Sequence, residues 1–439
     1  MVIKLGLERM QRLYGSSPQL WKAIHVAGTN GKGSVCSYVS SLLTRDNISH
    51  GRFTSPFIRR PEDSILINNS PVPTDVFRPL YFNAGKASLS DEPTHFERMT
   101  YAAFAAFDEF QVKYGVVETG LGGRLDSTNV MKNKAVTVIT KIGLDHQEYL
   151  GDTIEKIAAE KAAIMNGAPC VVNGRNSPEA LEVIADTARR VGSKVILSTD
   201  DTRLSEEAKS LSSIWPQHVL DNAICAIKAC EQLEDYQASS LSISELLRLP
   251  GAHMEGRLQP VDIRTTSIGK REGRTTPIIL DGAHNLDAST VLAKHVDEHL
   301  RITKSGSQQP ITWVLGMSNP REQTAPEILL PLLRPSDRIV AVEYDHPQRP
   351  KTSTSSDDHF LSFRPQPLDI GKLEAAVHSL PGFNTSQTRI EGCHTIEEAI
   401  ATACQMAKSS NQEDETPIVV TGSLYLIADI LKWVDGAKL

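Results

Sequence analysis

Ala27-Gly28-Thr29-Asn30-Gly31-Lys32-Gly33-Ser34 is the stretch on which the reading of the fold turns. It follows a near-continuously apolar run over residues 23–27, interrupted by His25, and precedes a helical pattern over residues 35–43. A glycine-rich loop between a strand and a helix reads as a phosphate loop. Its glycines let backbone N–H groups approach a polyphosphate, the helix start adds positive potential, Lys32 neutralises outer phosphates, and Ser34 can ligate Mg²⁺. The loop departs from the strict pattern, because the spacing before Gly31 is short and Gly33 separates Lys32 from the hydroxyl. The plain alternative is a glycine-rich turn with a solvated lysine; the flanking strand and helix argue against it.

Outward from this loop, short β-branched runs alternate with helical patterns, the signature of parallel βαβ units. Residues 115–118, 135–142 and 169–172 read as further strands of the same sheet, near-continuously apolar as buried parallel strands are. A second series follows at 277–281, 311–315, 338–343 and 417–421. The fold class is therefore α/β: a P-loop NTPase-like N-terminal domain with a mostly parallel sheet, and a smaller α/β C-terminal domain. Turn formers around Leu249-Pro250-Gly251 and on to Pro260 place the boundary near residue 259, giving domains 1–258 and 259–439. The polar segments 303–309, 351–358 and 409–415 read as surface loops.

A length of 439 residues fits two cores better than one. With 40% apolar and 23% charged residues the chain has an ordinary globular composition. A net charge of -7 without a long basic run argues against nucleic acid as a partner. Cys36, Cys170, Cys225, Cys230, Cys393 and Cys404 have neither paired zinc-site spacing nor disulfide-scaffold density, which suits a reducing compartment. No apolar stretch is long enough to span a bilayer, and the residues before the first motif, with Glu8 in an amphipathic pattern, lack the apolar run expected of a signal peptide. The expectation is a cytoplasmic protein with no membrane or nucleic-acid partner, with mitochondrial import left open, and a monomer.

A second glycine cluster, Glu118-Thr119-Gly120-Leu121-Gly122-Gly123-Arg124-Leu125-Asp126-Ser127-Thr128-Asn129, follows another buried strand and so lies at a carboxyl-end edge, where α/β sheets bind ligands. Leu125 occupies the third glycine position of a dinucleotide fingerprint and no helix start is clear, so a dehydrogenase is excluded. Glu118 can instead offer a hard carboxylate oxygen to a metal, and Arg124 can meet an anion. Taken alone, Glu118 would as often be a solvated strand-end carboxylate. Lys141-Ile142-Gly143-Leu144-Asp145-His146 ends the next strand, and Glu160-Lys161-Ala162-Ala163-Ile164 lies in the helical pattern after Thr153. Neither His146 nor Lys161 carries weight singly. The absence of Asp-x-x-Gly and Asn-Lys-x-Asp elements argues against a GTPase.

These motifs, followed by Asp281-Gly282-Ala283-His284-Asn285 and Thr421-Gly422-Ser423-Leu424-Tyr425, occur in one order across essentially the whole chain. Together they resemble the folylpolyglutamate/dihydrofolate synthases, relatives of the Mur ligases, and look most like the fungal dihydrofolate synthases among them. The resemblance implies an ATP-dependent ligase that phosphorylates a pteroate-type carboxylate and joins L-glutamate to the acyl phosphate. Gly28, Thr29, Asn30, Gly31, Lys32, Gly33 and Ser34 would hold ATP, with Asn222, Arg257 and Asp281 approaching the nucleotide. Ser34 and Glu118 would hold one Mg²⁺ and His146 a second, near a carbamylated Lys161. Asp126 would lie near the pterin, and His284 and Ser423 on the glutamate side of an interdomain cleft that closes over the reactants.

Dihydropteroate is the expected acceptor; tetrahydrofolate, with or without dihydropteroate, is the rival. A catalytically silent nucleotide-binding relative is a third reading. Several motifs depart from the family pattern. Ser55-Pro56-Phe57-Ile58 has phenylalanine where the family has histidine, Glu255-Gly256-Arg257 replaces Pro-Gly-Arg, and Ala163 stands where glycine is usual. Ser318-Asn319-Pro320-Arg321 replaces an acidic-lysine run, and no function is carried onto it.

Overall fold

A computed structural model describes residues 5–15, 18–86, 92–236, 241–303, 305–322, 324–345, 364–383, 388, 390–408 and 415–436. The chain divides into two compact units, Val2–Met254 and Glu255–Leu439. Two loop expectations, 351–358 and most of 409–415, lie outside the described residues.

In the first unit the strands are β1 (Lys22–Ala27), β2 (His50–Phe53), β3 (Ile65–Ile67), β4 (Ser70–Pro71), β5 (Tyr114–Glu118), β6 (Lys134–Ile139), β7 (Cys170–Val172) and β8 (Val195–Leu197). Their order across the sheet is β4-β3-β2-β5-β1-β6-β7-β8. From β2 to β8 the pairs are parallel, and β3 and β4 form an antiparallel edge. Because side chains alternate along a strand, Ile24, Val26, Val136 and Val138 join the core beneath the helices Lys32–Arg45 and Gln217–Cys230. Ala27 and Ile139 belong to the other face, against Ile157, Ala158 and Ala162 of the helix Ile154–Ala162. β1 sits between β5 and β6, and the chain leaves it first toward one side of the sheet and later returns on the other. Such a switch point opens a crevice at the carboxyl ends of the strands.

In the second unit β9 (Gln259–Val261), β10 (Ile278–Leu280), β11 (Thr312–Leu315), β12 (Arg338–Val342), β13 (Ile390–Cys393) and β14 (Ile418–Thr421) run in the order β13-β12-β11-β14-β10-β9, with only β9 antiparallel. Trp313, Leu315, Ile339 and Ala341 pack with Leu292 and Val296 of the helix Leu286–His299 and with Leu373 and Val377 of the helix Ile370–His378. No helix among the described residues is long and apolar enough to cross a membrane.

The sixth strand stops at Ile139, three residues before the reach expected from its apolar run. Side-chain bonds divert the backbone there: Thr140 Oγ1 donates to the Asn30 carbonyl at 2.8 Å, and the Ile142 amide donates to Asn176 Oδ1 at 2.7 Å. The second glycine cluster does lead into a helical turn, Ser127–Val130, whose N-cap is Asp126.

Asp337 anchors the second unit. Its buried carboxylate accepts from Arg301 at 2.6 and 2.7 Å, from the Ile311 and Arg334 amides at 3.0 and 2.9 Å, and from Trp313 Nε1 at 2.9 Å. Deleting it leaves the indole without its acceptor and removes two bonds from the buried Arg301 guanidinium, which keeps Asp297 and the Leu332 carbonyl. Asp337→Ala is expected to destabilise this unit by about 3–5 kcal/mol, seen as a lower urea midpoint; a loss under about 1 kcal/mol would overturn the anchoring role.

Candidate active site

The phosphate loop is shaped by what surrounds it. Gly28 and Gly31 have φ of 154° and 92°, which only glycine adopts readily. A Cβ on Gly28 would run into the Thr140 side chain, and one on Gly31 into the Asn222 amide. The Thr29 and Asn30 amides donate to the Lys141 carbonyl at 2.8 and 3.2 Å, and Thr29 Oγ1 donates to the Gly143 carbonyl at 3.0 Å. Gly31 is the N-cap of the helix Lys32–Arg45, so the first-turn amides of Lys32, Gly33 and Ser34 are positioned for an anion.

Glu118 ends β5 beside this loop. Its carboxylate is buried, accepts from the Ser55 amide at 3.2 Å, and lies 3.8 Å from Lys32 Nζ, which itself donates to the Thr29 carbonyl at 3.3 Å. A Cβ built on Gly33 would stand 3.4 Å from Glu118 Oε2, which places the carboxylate next to the residue preceding Ser34. Among the described residues no group of three or more His, Cys, Asp or Glu gathers to hold a metal. One carboxylate and one hydroxyl beside a phosphate loop fit Mg²⁺ all the same. That ion keeps several waters and binds through one or two carboxylates together with substrate phosphates.

Lys161 also reaches this loop. It is buried, and its Nζ donates to the Gly28 carbonyl at 2.8 Å. Burial, with Lys32 adding to it and Asp145 and Asp126 opposing, brings its amine down to about 7. His146 has a left-handed backbone (φ 51°) at the start of the short helix Gln147–Leu150, and its Nε2 lies 4.0 Å from Asp145 Oδ1. Arg124 is exposed and pairs with Glu160 at 2.7 Å, so the expected anion contact already has a protein carboxylate in place.

Asp126 is buried and spans its own loop. Oδ2 accepts from the Leu121 amide at 2.8 Å, and Oδ1 accepts from the Thr128 amide at 3.0 Å and the Thr128 hydroxyl at 2.5 Å. Burial raises its pKa against these bonds. Phe96 was missed in the sequence. Its half-buried ring stacks on Phe53 at 5.8 Å and lies where a Cβ on Gly120 would have to go, so it offers a flat apolar surface beside the loop. The readable signal was the capping box Thr94-x-x-Glu97, which starts the helix His95–Glu109 just before this ring.

In the second unit Asp281, His284 and Ser423 gather at the carboxyl ends of the neighbours β10 and β14. Asp281 accepts from the Leu258 and Ala283 amides, both at 2.9 Å; burial raises its pKa and Arg257 opposes. Arg257 Nη1 stands 3.0 Å from where a Cβ on Gly282 would be. His284 Nδ1 lies 2.7 Å from the Gly282 carbonyl, an acceptor only, so Nδ1 carries the proton. Ser423 Oγ accepts from the Tyr425 amide at 3.1 Å, and the Gly422 amide donates to the Ala283 carbonyl at 3.1 Å, tying the two loops together.

The Mur ligase middle domain model matches residues 26–230, and the model of the dihydrofolate synthetase C-terminal domain matches 264–358 and 366–433. A Saccharomyces cerevisiae protein named dihydrofolate synthetase is 32% identical over 98% of this chain and 98% of its own. A Schizosaccharomyces pombe protein named probable dihydrofolate synthetase is 30% identical over 99% of each. The solved structure of Mycobacterium tuberculosis folylpolyglutamate synthase complexed with ADP superposes with a TM-score of 0.76 at 25% identity, covering 98% of this chain and 94% of that one. With relatives aligned end to end, and with both domain models matched in order, this chain belongs to the dihydrofolate synthase/folylpolyglutamate synthase family.

Proposed function

We propose that the chain is a dihydrofolate synthase, an ATP-dependent ligase that converts 7,8-dihydropteroate, L-glutamate and ATP to dihydrofolate, ADP and phosphate. The observation that carries this reading is the meeting of Lys32, Glu118 and Lys161 around the Gly28–Ser34 loop. The choice of dihydropteroate is supported by the two fungal relatives and their names. Folylpolyglutamate synthesis is the second reading, favoured by the likeness to the Mycobacterium tuberculosis enzyme. The proposed domains are an ATP-binding part, 1–258, and a glutamate-ligase part, 259–439. Six buried free thiols fit a reducing cytoplasm, and a monomer is the expected form.

In this reading a carboxylate oxygen of the pteroate attacks the γ-phosphorus of ATP, ADP leaves, and the glutamate amine displaces phosphate from the acyl phosphate with loss of a proton. Loop amides and Lys32 hold the nucleotide in line, and Asn222, which lies beside Gly31, would meet it together with Arg257 and Asp281. Ser34 and Glu118 would hold one Mg²⁺ and His146 would help hold a second; the metal supplies charge neutralisation on the phosphates. Asp126 orders the loop on the pterin side, while His284 and Ser423 meet glutamate. Positioning and electrostatics supply most of the rate in such phosphoryl transfers.

Lys161 works in this scheme as a carbamate. Its neutral amine adds carbon dioxide, forming an N–C bond and releasing one proton; the product is an anion that keeps one N–H for the Gly28 carbonyl. An ammonium beside bound Mg²⁺ would be repelled, by several kcal/mol at an effective dielectric of about 20, where a carbamate is attracted.

Lys32→Ala is expected to lower kcat by roughly 10²–10³-fold with the fold intact by circular dichroism; near-normal turnover would reject the nucleotide assignment. Assayed side by side, dihydropteroate should outperform tetrahydrofolate, and product formed from tetrahydrofolate alone would hand the case to the second reading. Lys161→Ala should lose roughly 10–100-fold in activity and recover part of it with added short carboxylic acids. With ¹³C-bicarbonate, the wild-type chain should show a carbamate carbon signal that grows as pH rises through about 7, where the amine becomes neutral, and that Lys161→Ala lacks. Its absence from the wild type would reject the carbamate alone.

A further inference from the structure

His25 lies on the central strand β1, three residues before Gly28, and is fully buried. An imidazole in the middle of a sheet is costly unless its polar atoms are paired. One is: Nε2 is 2.9 Å from Thr128 Oγ1. That hydroxyl has a single proton, and it points at Asp126 Oδ1, 2.5 Å away. Toward His25 the oxygen therefore offers a lone pair, and Nε2 must carry the ring proton. Nδ1 is buried with no partner, as suits a bare acceptor better than an orphaned N–H. Burial, with Lys134 adding to it, holds the ring well below the usual histidine range and keeps it neutral.

The chain of bonds runs from β1 through one imidazole and one hydroxyl to one carboxylate, and that carboxylate closes the loop by accepting from the Leu121 and Thr128 amides. The adjoining Ser127 hydroxyl is 3.0 Å from Thr100 Oγ1, on the helix that carries Phe96, so the loop is fixed against that ring as well. We propose that His25 is a positioning residue for the pteroate-type substrate: through Thr128 it orients Asp126, and so sets the substrate-side loop from the same strand that carries the phosphate loop. The inference rests on the reading of the chain as a ligase of such substrates. Without the donor at position 25 the Thr128 hydroxyl is free to turn, and Asp126 loses a charge-assisted bond.

The test compares His25→Met, His25→Gln, Thr128→Val and the double variant His25→Met/Thr128→Val in the full chain, measuring kcat and KM for dihydropteroate, ATP and glutamate, together with ¹⁵N NMR of the imidazole. His25→Met and Thr128→Val should each raise KM for dihydropteroate about tenfold, the scale of one hydrogen bond to a charged group, and leave KM for ATP within about twofold. His25→Gln, which restores a donor at similar reach, should recover to within about threefold of wild type, and the double variant should be no worse than either single change, because both cut one chain of bonds. The ligand-free wild type should show the proton on Nε2 and a bare Nδ1.

A dihydropteroate KM that is unchanged in both single variants overturns the proposal. So do additive effects, or KM values for all three substrates that rise together with no recovery in His25→Gln. The opposite tautomer overturns it whatever the reaction. Should His25→Met fail to fold, Thr128→Val and the NMR readout decide. A wild-type chain that does not turn over dihydropteroate would reject the ligase reading, while the tautomer still decides whether the bond chain exists.

Discussion

The hydrogen-bond ladder that holds β1 between β5 and β6 is the constraint from which the first unit's chemistry follows. Val26 is paired with Glu118 on one side, and Ala27 with Ile139 on the other, so three strands end at one level. A one-residue slip in either pairing would turn alternate side chains to the wrong face. Glu118 would then leave the phosphate loop, and Thr140 would no longer lie against Gly28. The backbone ladder thus supplies the precision, and the side chains at its end inherit it.

Buried charge is distributed unevenly over this framework. Asp337 and Arg301 satisfy one another with two short bonds, and Asp337 also accepts from the Ile311 amide, which holds a strand end in place. Around the phosphate loop the balance is different. Lys161, buried, has a carbonyl as its hydrogen-bond partner, and burial lowers its proton affinity. Asp126 is buried among amide and hydroxyl donors, and its proton affinity is raised. Groups pushed in opposite directions within one small region are the usual mark of a site built for chemistry.

The second unit repeats the principle with different parts. Asp281, His284 and Ser423 stand at the ends of adjacent parallel strands, and each is tied to local backbone: both Asp281 oxygens to amides, His284 Nδ1 to a carbonyl, Ser423 Oγ to an amide. These bonds fix the orientation of each side chain, and in His284 they set the direction of Nε2. This is how loops of few residues achieve definite side-chain geometry without extensive packing.

The sequence by itself determined the α/β class, the two series of strands, the phosphate loop and the order of the motifs. These are local patterns: apolar runs, glycines at turns, a lysine and a hydroxyl at a helix start. It also carried the family likeness, because six separated motifs in one order are themselves a linear property. It did not reveal the strands β2, β3, β4, β8, β9 and β13, which are short, partly polar and defined by their neighbours rather than by their own periodicity. Nor did it reveal that Lys161 meets the carbonyl of Gly28, 133 residues earlier, that Asn222 lies under Gly31, or that His25 holds Thr128 from 103 residues away. Those contacts depend on which strands are neighbours and in what register. That is a property of the closed sheet and its packed helices, and no window of the chain contains it.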